Sequence, residues 1–184
     1  MKQTTHPAKE TVLVVGPGLG QVGGVATFID ILATSPVIAE KYSILRLDTT
    51  RSVQDLGLEN RLSLANINYL VRQIVQFIVV NAREKPGLIH VQVTSGLAFW
   101  KTGIFILLGK IFGAGTVAHL HGGMFDKYYA ACRPRTKKWI GRVFASSDIV
   151  IALSEKWRQF LLAEVRSDLR VEIASNPVDR LFAK

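Results

Sequence analysis

Two short segments of the chain carry residues suited to chemistry. The first is Gly18-Leu19-Gly20-Gln21-Val22-Gly23, followed directly by Gly24. It fits the pattern G-x-G-x-x-G between an apolar run and a helical pattern, which is the setting of a dinucleotide-binding turn. That fingerprint expects a ribose-binding acid roughly twenty residues on, at the end of a second strand. The nearest candidate, Asp48, lies 30 residues after Gly18, and the mismatch weakens a nicotinamide-dinucleotide reading. A simpler use of Gly20, Gly23 and Gly24 is to bring bare backbone to a phosphate at the positive end of the next helix. The plain alternative is a tight strand-to-helix turn with no ligand.

The second segment is His119-Leu120-His121-Gly122-Gly123-Met124-Phe125-Asp126. Alternation along a strand points His119 and His121 to one side, and the glycines behind them leave room for a ligand or loop. A zinc pair lacks a convincing third ligand, so hydrogen bonding is the favoured role and no metal site is expected. A third feature is the basic run Arg133-Pro134-Arg135-Thr136-Lys137-Lys138, with Arg142 behind it. It suits phosphate or an acidic membrane surface, or is simply a solvated loop and helix start. Without interleaved aromatics or a known module signature, it does not point to nucleic acid.

These segments need a frame to hold them. Apolar runs at 11–15, 43–47, 88–93, 116–120, 149–153 and 170–174 read as six strands. Between them, helical spacing at 24–34, 62–83, 97–112, 137–145 and 155–165 predicts helices, with 48–61 left as a loop. Within 62–83 the helical period is carried by Leu64, Ile67, Val71, Ile74 and Ile78. Strict alternation implies an α/β fold: a Rossmann-like, doubly wound parallel sheet in three layers, with right-handed crossovers and helices on both faces. The strand order expected for such a sheet is 3-2-1-4-5-6, which makes strands one and four neighbours at the reversal. Ligands bind beyond the carboxyl ends of the strands at that point, so the glycine and histidine loops should meet there.

At 184 residues the chain has the size of one domain, with 48% apolar and 20% charged residues in a globular balance. Residues 1–10 are expected to be a flexible start, 11–175 the domain and 176–184 the beginning of a linker. The net charge of +9 calls for an anionic partner. A single cysteine, Cys132, makes no internal bridge. The opening residues lack the apolar run of a secretory signal, and a cytoplasmic location is expected. Residues 99–112 are too short, and with Lys101 and Lys110 too charged, to span a bilayer.

Several patterns in order resemble family 4 of the GT-B glycosyltransferases, retaining enzymes with two Rossmann-like domains facing each other across a cleft. They are Gly23-Gly24-Val25-Ala26-Thr27-Phe28, Leu88-Ile89-His90-Val91 followed by Thr94-Ser95-Gly96, His119-Leu120-His121-Gly122-Gly123, Ile151-Ala152-Leu153-Ser154-Glu155, and Asn176-Pro177-Val178-Asp179. The resemblance implies transfer of a sugar from a nucleotide sugar to an acceptor, with retention, no obligatory metal and no other cofactor. His121 matches the catalytic histidine that hydrogen-bonds the donor sugar. Gly23 and Gly24 match the loop that approaches the donor diphosphate, with Gly122 and Gly123 beside it.

Thr94, Ser95, Trp100, Arg133, Arg135, Lys137 and Lys138 are candidates for contact with an acceptor, a glycan or lipid-linked oligosaccharide, or with the membrane. Asn176 and Asp179 match the crossing into a second domain. The expectation is therefore an acceptor-side half whose donor-binding domain or subunit lies outside these residues and which is inert alone. It would be an excised piece, a truncated reading frame or one subunit of a split enzyme. Two other readings stay open, a nucleotide- or NAD-binding oxidoreductase domain and a noncatalytic acceptor-binding subunit of a split transferase.

Overall fold

The computed structural model of the chain describes residues 9–18, 23–50 and 63–176. Gly20, most of the expected loop at 48–61, nearly all of the flexible start at 1–10 and all of the linker at 176–184 except Asn176 lie outside them. The elements run β1 (Glu10–Gly16), α1 (Gly24–Thr34), α2 (Pro36–Lys41), β2 (Tyr42–Asp48), α3 (Leu64–Glu84), β3 (Leu88–Val93) and α4 (Leu97–Ile111). They continue with β4 (Gly115–Leu120), α5 (Phe125–Ala131), α6 (Pro134–Ala145), β5 (Ile149–Ala152), α7 (Glu155–Phe160) with a π-helical turn at Leu161–Val165, and β6 (Val171–Ile173).

Every strand pairing is parallel, and helices cover both faces. The middle strands are buried on both sides, Val12 to Val15, Ile89 to Val93 and Thr116 to Leu120 without interruption, as a covered parallel sheet requires. The α/β class is as expected, but the strand order is not. It is 2-1-3-4-5-6, so β1 lies between β2 and β3, and the reversal falls between β1 and β3 instead of strands one and four. The reason is the docking of the crossover. Phe77 of α3 packs on Phe105 of α4, with ring centroids 5.2 Å apart, so α3 lies beside α4 and delivers the chain into β3 next to β1. Hydrophobic period marks which segments are strands; it carries no information about this choice of neighbour.

The two faces of the sheet are filled differently. On one, Leu13, Val15, Ile89, Val91, Ala118 and Leu120 meet Phe77, Phe99, Phe105, Ile140 and Phe144 from α3, α4 and α6. On the other, Val12 and Val14 meet Phe28 and Ile29 of α1 in a much smaller apolar cluster. Beyond that cluster the α1 face turns polar, because period-two alternation places His90 and Gln92 of β3 there and the pairing Gln92↔His119 adds a residue of β4.

Candidate active site

The polar patch lies at the carboxyl ends of β3 and β4, under α1. His90 and His119 lie nearly parallel, with an interplanar angle of 11° and 3.2 Å between His90 Nε2 and His119 Nδ1, so one of those two nitrogens carries the shared proton. His119 in turn lies against His121, with centroids 3.9 Å apart. Phe28 stands over the group, edge-on to His119 at 4.8 Å and tilted against His121 at 5.1 Å.

This setting decides the charge of the three rings. Burial disfavours the imidazolium, and a neighbouring imidazole adds repulsion at His90 and His119. His90 is held down to about 4, His119 to about 2, and His121, through burial alone, to about 4. All three are neutral near pH 7. A neutral imidazole offers one donor and one acceptor, which suits a sugar hydroxyl better than a phosphate.

Among the described residues, Gln92 Nε2 and Oε1, His119 Nε2, and His121 Nδ1 and Nε2 are buried with no protein partner. Unpartnered buried polar groups are expensive, on the order of 1–3 kcal/mol each, and at such a density they mark a place built for polar company. Gln92 and His90 were not singled out from the sequence as site residues. The signal was there, since alternation from His90 along a strand reaches Gln92 on the same side. No group of three or more His, Cys, Asp or Glu among the described residues is arranged to hold a metal ion.

The loops around this patch come from three strands. His121 N–H donates to Val93 O at 2.9 Å, tying the end of β4 to the end of β3. A Cβ on Gly122 would stand 3.6 Å from Thr94 Cα and 3.7 Å from Ser95 N, so the histidine loop lies against the turn that leaves β3. That turn ends at Gly96, whose φ of 70° is a conformation L side chains rarely adopt. On the third side, α1 starts at Gly24 with Gly23 as its cap and no side chain capping it. Its first amide groups are therefore available to an anion. Gly23, Gly24 and Gly123 have open space where a Cβ would stand.

Thus Thr94, Ser95, His121 and Gly122, with Gly123 next in the chain, meet where β3 and β4 end, and α1, which begins at Gly23 and Gly24, is laid over the histidines through Phe28; together they frame a candidate crevice. The remaining candidates do not join it. Trp100 is half-buried and packs edge-on against Phe99 at 5.3 Å as part of the core. Arg133, Arg135 and Lys138 are exposed at the start of α6, and Lys137 lies 4.9 Å over the ring of Tyr129.

Asp48 does stand at the end of β2, opposite Gly16, as a ribose-binding acid would. The insertion of α2 accounts for its late position in the sequence. One carboxylate oxygen, however, accepts from Thr50 N–H at 2.8 Å and Thr50 Oγ at 2.5 Å, and Thr50 Oγ in turn accepts from Gly18 N–H at 3.4 Å. The acid, through Thr50, braces Gly18.

Residues 33–177 match the Glycosyl transferase 4-like domain. The chain belongs to this family. No curated protein sequence matches it. Among solved structures it is similar to sucrose-phosphate synthase from Thermosynechococcus elongatus, with a TM-score of 0.64 and 14% identity over 91% of this chain and 48% of that one. A second structure of that synthase aligns with a TM-score of 0.57 and 13% identity over 92% of this chain and 91% of that one. The Glycosyl transferase 4-like domain thus has the fold of one part of a larger relative and spans about half the length of the first.

Proposed function

We propose that this domain is the acceptor-side half of a retaining glycosyltransferase that moves a sugar from a nucleotide sugar to a glycan or lipid-linked acceptor. The observation that carries the reading is the group of unpartnered polar atoms on Gln92, His119 and His121 beside the uncapped start of α1. The diphosphate of the donor takes the α1 amides near Gly23 and Gly24, where the positive helix end meets the charge that grows on the leaving group. His121, uncharged, hydrogen-bonds the donor sugar and holds it for attack; its role is positioning and transition-state hydrogen bonding, with no covalent step of its own.

Thr94 and Ser95 line the acceptor approach. The donor-binding half is supplied from outside these residues, in the same polypeptide or by a partner. Following the family resemblance, the reaction needs no resident metal or other cofactor. The setting is cytoplasmic surface-polysaccharide or lipid-linked glycan assembly, with peripheral contact at the inner face of the membrane. Among the described residues no helix is long and apolar enough to cross a membrane.

The test is transfer of labelled sugar by the purified chain, alone and with a donor-binding half added. The expected result is no turnover alone and turnover on addition, lost in His121→Ala. Robust turnover by the chain alone contradicts the division of labour, and full activity of His121→Ala contradicts the site.

A further inference from the structure

The long helix α3 is built inside out. Its buried row is Gln73, Phe77 and Asn81, and each amide is bonded through its nitrogen, Asn81 Nδ2 donating to Phe77 O at 2.8 Å and Gln73 Nε2 to Asp48 O of β2 at 3.4 Å, while the two side-chain oxygens have no protein partner. Its exposed row is Leu64, Ile67, Val71, Val75 and Ile78, recurring at three and four residues. An ordinary surface helix has the opposite polarity. Leu64 is 85% exposed and the other four between 40% and 52%. On α4, Leu107 and Ile111 are also exposed, Ile111 to 78%.

These rows belong to one surface. Phe77 touches Phe105 and Phe112, and Phe99 touches Phe144, so α3, α4 and α6 pack their inner sides into one core and turn their outer sides the same way. Aliphatic rows turned outward on two adjacent helices mark an interaction site.

Charge identifies the occupant. Helices α3, α4 and α6 together carry eight Lys and Arg and a single carboxylate, Glu84. Arg72 and Arg83 belong to the aliphatic helix itself, and Arg135, Lys138 and Arg142 border it on α6 beside the exposed Trp139. A second copy would bring an equally cationic face against this one. Protein interfaces centre on aromatic anchors, whereas this face is aliphatic at its centre with cations and one tryptophan at its edge. Aliphatic centre and basic border are what an anionic bilayer surface receives.

We propose that the outer face of α3 and α4, bordered by α6, docks the domain on an anionic lipid surface. This deepens the peripheral-contact part of the reading above and moves its apolar contact from Trp100 to α3. Tyr69 and Gln73 of α3 donate to Thr50 O and Asp48 O, so this helix passes the carboxyl end of β2, the end of the sheet at which the crevice also lies. An acceptor with a lipid tail would meet the site there.

The test is flotation of the full chain with vesicles of phosphatidylcholine alone or mixed with phosphatidylglycerol, and it needs no sugar transfer. The wild type should float with the anionic vesicles at low salt and lose binding as salt rises. The double variant V71E/V75E should lower the bound fraction on the order of tenfold or more, and R135E/K138E by several fold. Ile111→Ser, at a helix end and largely exposed, provides a milder variant should the double change disturb folding; it should also weaken binding. No flotation of the wild type, or unchanged flotation of folded V71E/V75E and Ile111→Ser, overturns the proposal. A dimer abolished by V71E/V75E without flotation assigns the face to a second copy and overturns it too.

Discussion

The two faces of one sheet show what each is for. Under α3, α4 and α6 the residues are mostly aliphatic and aromatic, with Phe77, Phe99, Phe105 and Phe144 wholly or almost wholly buried and the buried amides Gln73 and Asn81 each bonded through nitrogen. Under α1 the same strands offer His90, Gln92 and His119, also buried, over which a single aromatic ring, Phe28, is laid. The first face gains free energy from close packing. The second holds neutral imidazoles and unpartnered amide atoms that packing alone gives no reason to keep. A protein tolerates such a patch where a ligand uses it.

The largest expected difference between the faces is in stability. Phe105→Ala, at the centre of the apolar core, should lower unfolding free energy by about 3–5 kcal/mol in chemical denaturation. Phe28→Ala should lower it by only about 2 kcal/mol, since fewer apolar atoms surround the ring. Equal losses would erase the distinction.

Next in size is Gly16→Ala. A Cβ there would stand 2.6 Å from Gln92 Cγ and 2.7 Å from Ile29 Cδ1, so β1 and α1 can close on Gln92 only without a side chain at Gly16. Overpacking of this kind costs about 1–3 kcal/mol. A neutral substitution would show that Gln92 is free to move and is not held for a ligand.

How much of this was legible in the sequence differs between the faces as well. Helix α1 and strand β3 form at the residues their periodicity indicates, 24–34 and 88–93. Pro36, just beyond the helix at 24–34, is the first residue of a second helix, α2, a position where its fixed φ and missing N–H are harmless. Helix α5 at Phe125–Ala131 was not expected; it is only 7 residues long and its signal is a buried aromatic pair, Phe125 and Tyr129, at helical spacing. The apolar row of α3 correctly implied a helix, yet Leu64, Ile67 and Val71 point outward, because period reports amphipathicity and not which side meets the core. His121 and its glycines were readable from residue type. Their neighbours His90 and Gln92 were hidden by lying in a strand that otherwise reads as core, and the meeting of β1 with β3 depended on tertiary packing.

A smaller effect concerns acid. Each imidazole is held below its ordinary value of about 6.5, so at mildly acidic pH the unfolded chain binds protons that the folded chain refuses. The stability these rings contribute is nearly complete above pH 6.5 and falls as pH drops toward about 4, where His90 and His121 protonate in the folded state, with His119 holding out to about 2. The loss approaches about 1.4 kcal/mol per pH unit for each ring. Denaturation at pH 7 and pH 5.5 should show His90→Gln losing about 1 kcal/mol less on acidification than the wild type. Parallel losses would mean that His90 titrates freely.

The smallest expected change in stability is at Gly23, whose φ of 165° is extended backbone open to any residue and whose Cβ position is empty. Gly23→Ala should alter stability by no more than about 0.5 kcal/mol while weakening nucleotide-sugar binding, measured by calorimetry. Unchanged binding would remove Gly23 from the site.

The central claim is that a nucleotide sugar lies in the crevice between β1, β3 and β4. It is tested most directly by following the side-chain nitrogens of the three buried histidines by NMR while UDP-, GDP- and dTDP-sugars are titrated into the chain. The account predicts that at least one of these donors shifts His121 first and most, with Gly23, Gly24 and Gly122 amides moving at the same concentrations and the response displaced to higher donor concentration in Gly23→Ala. Shifts confined to Asp48 and Thr50, or to the basic start of α6, with His121 unmoved by any donor, would contradict it.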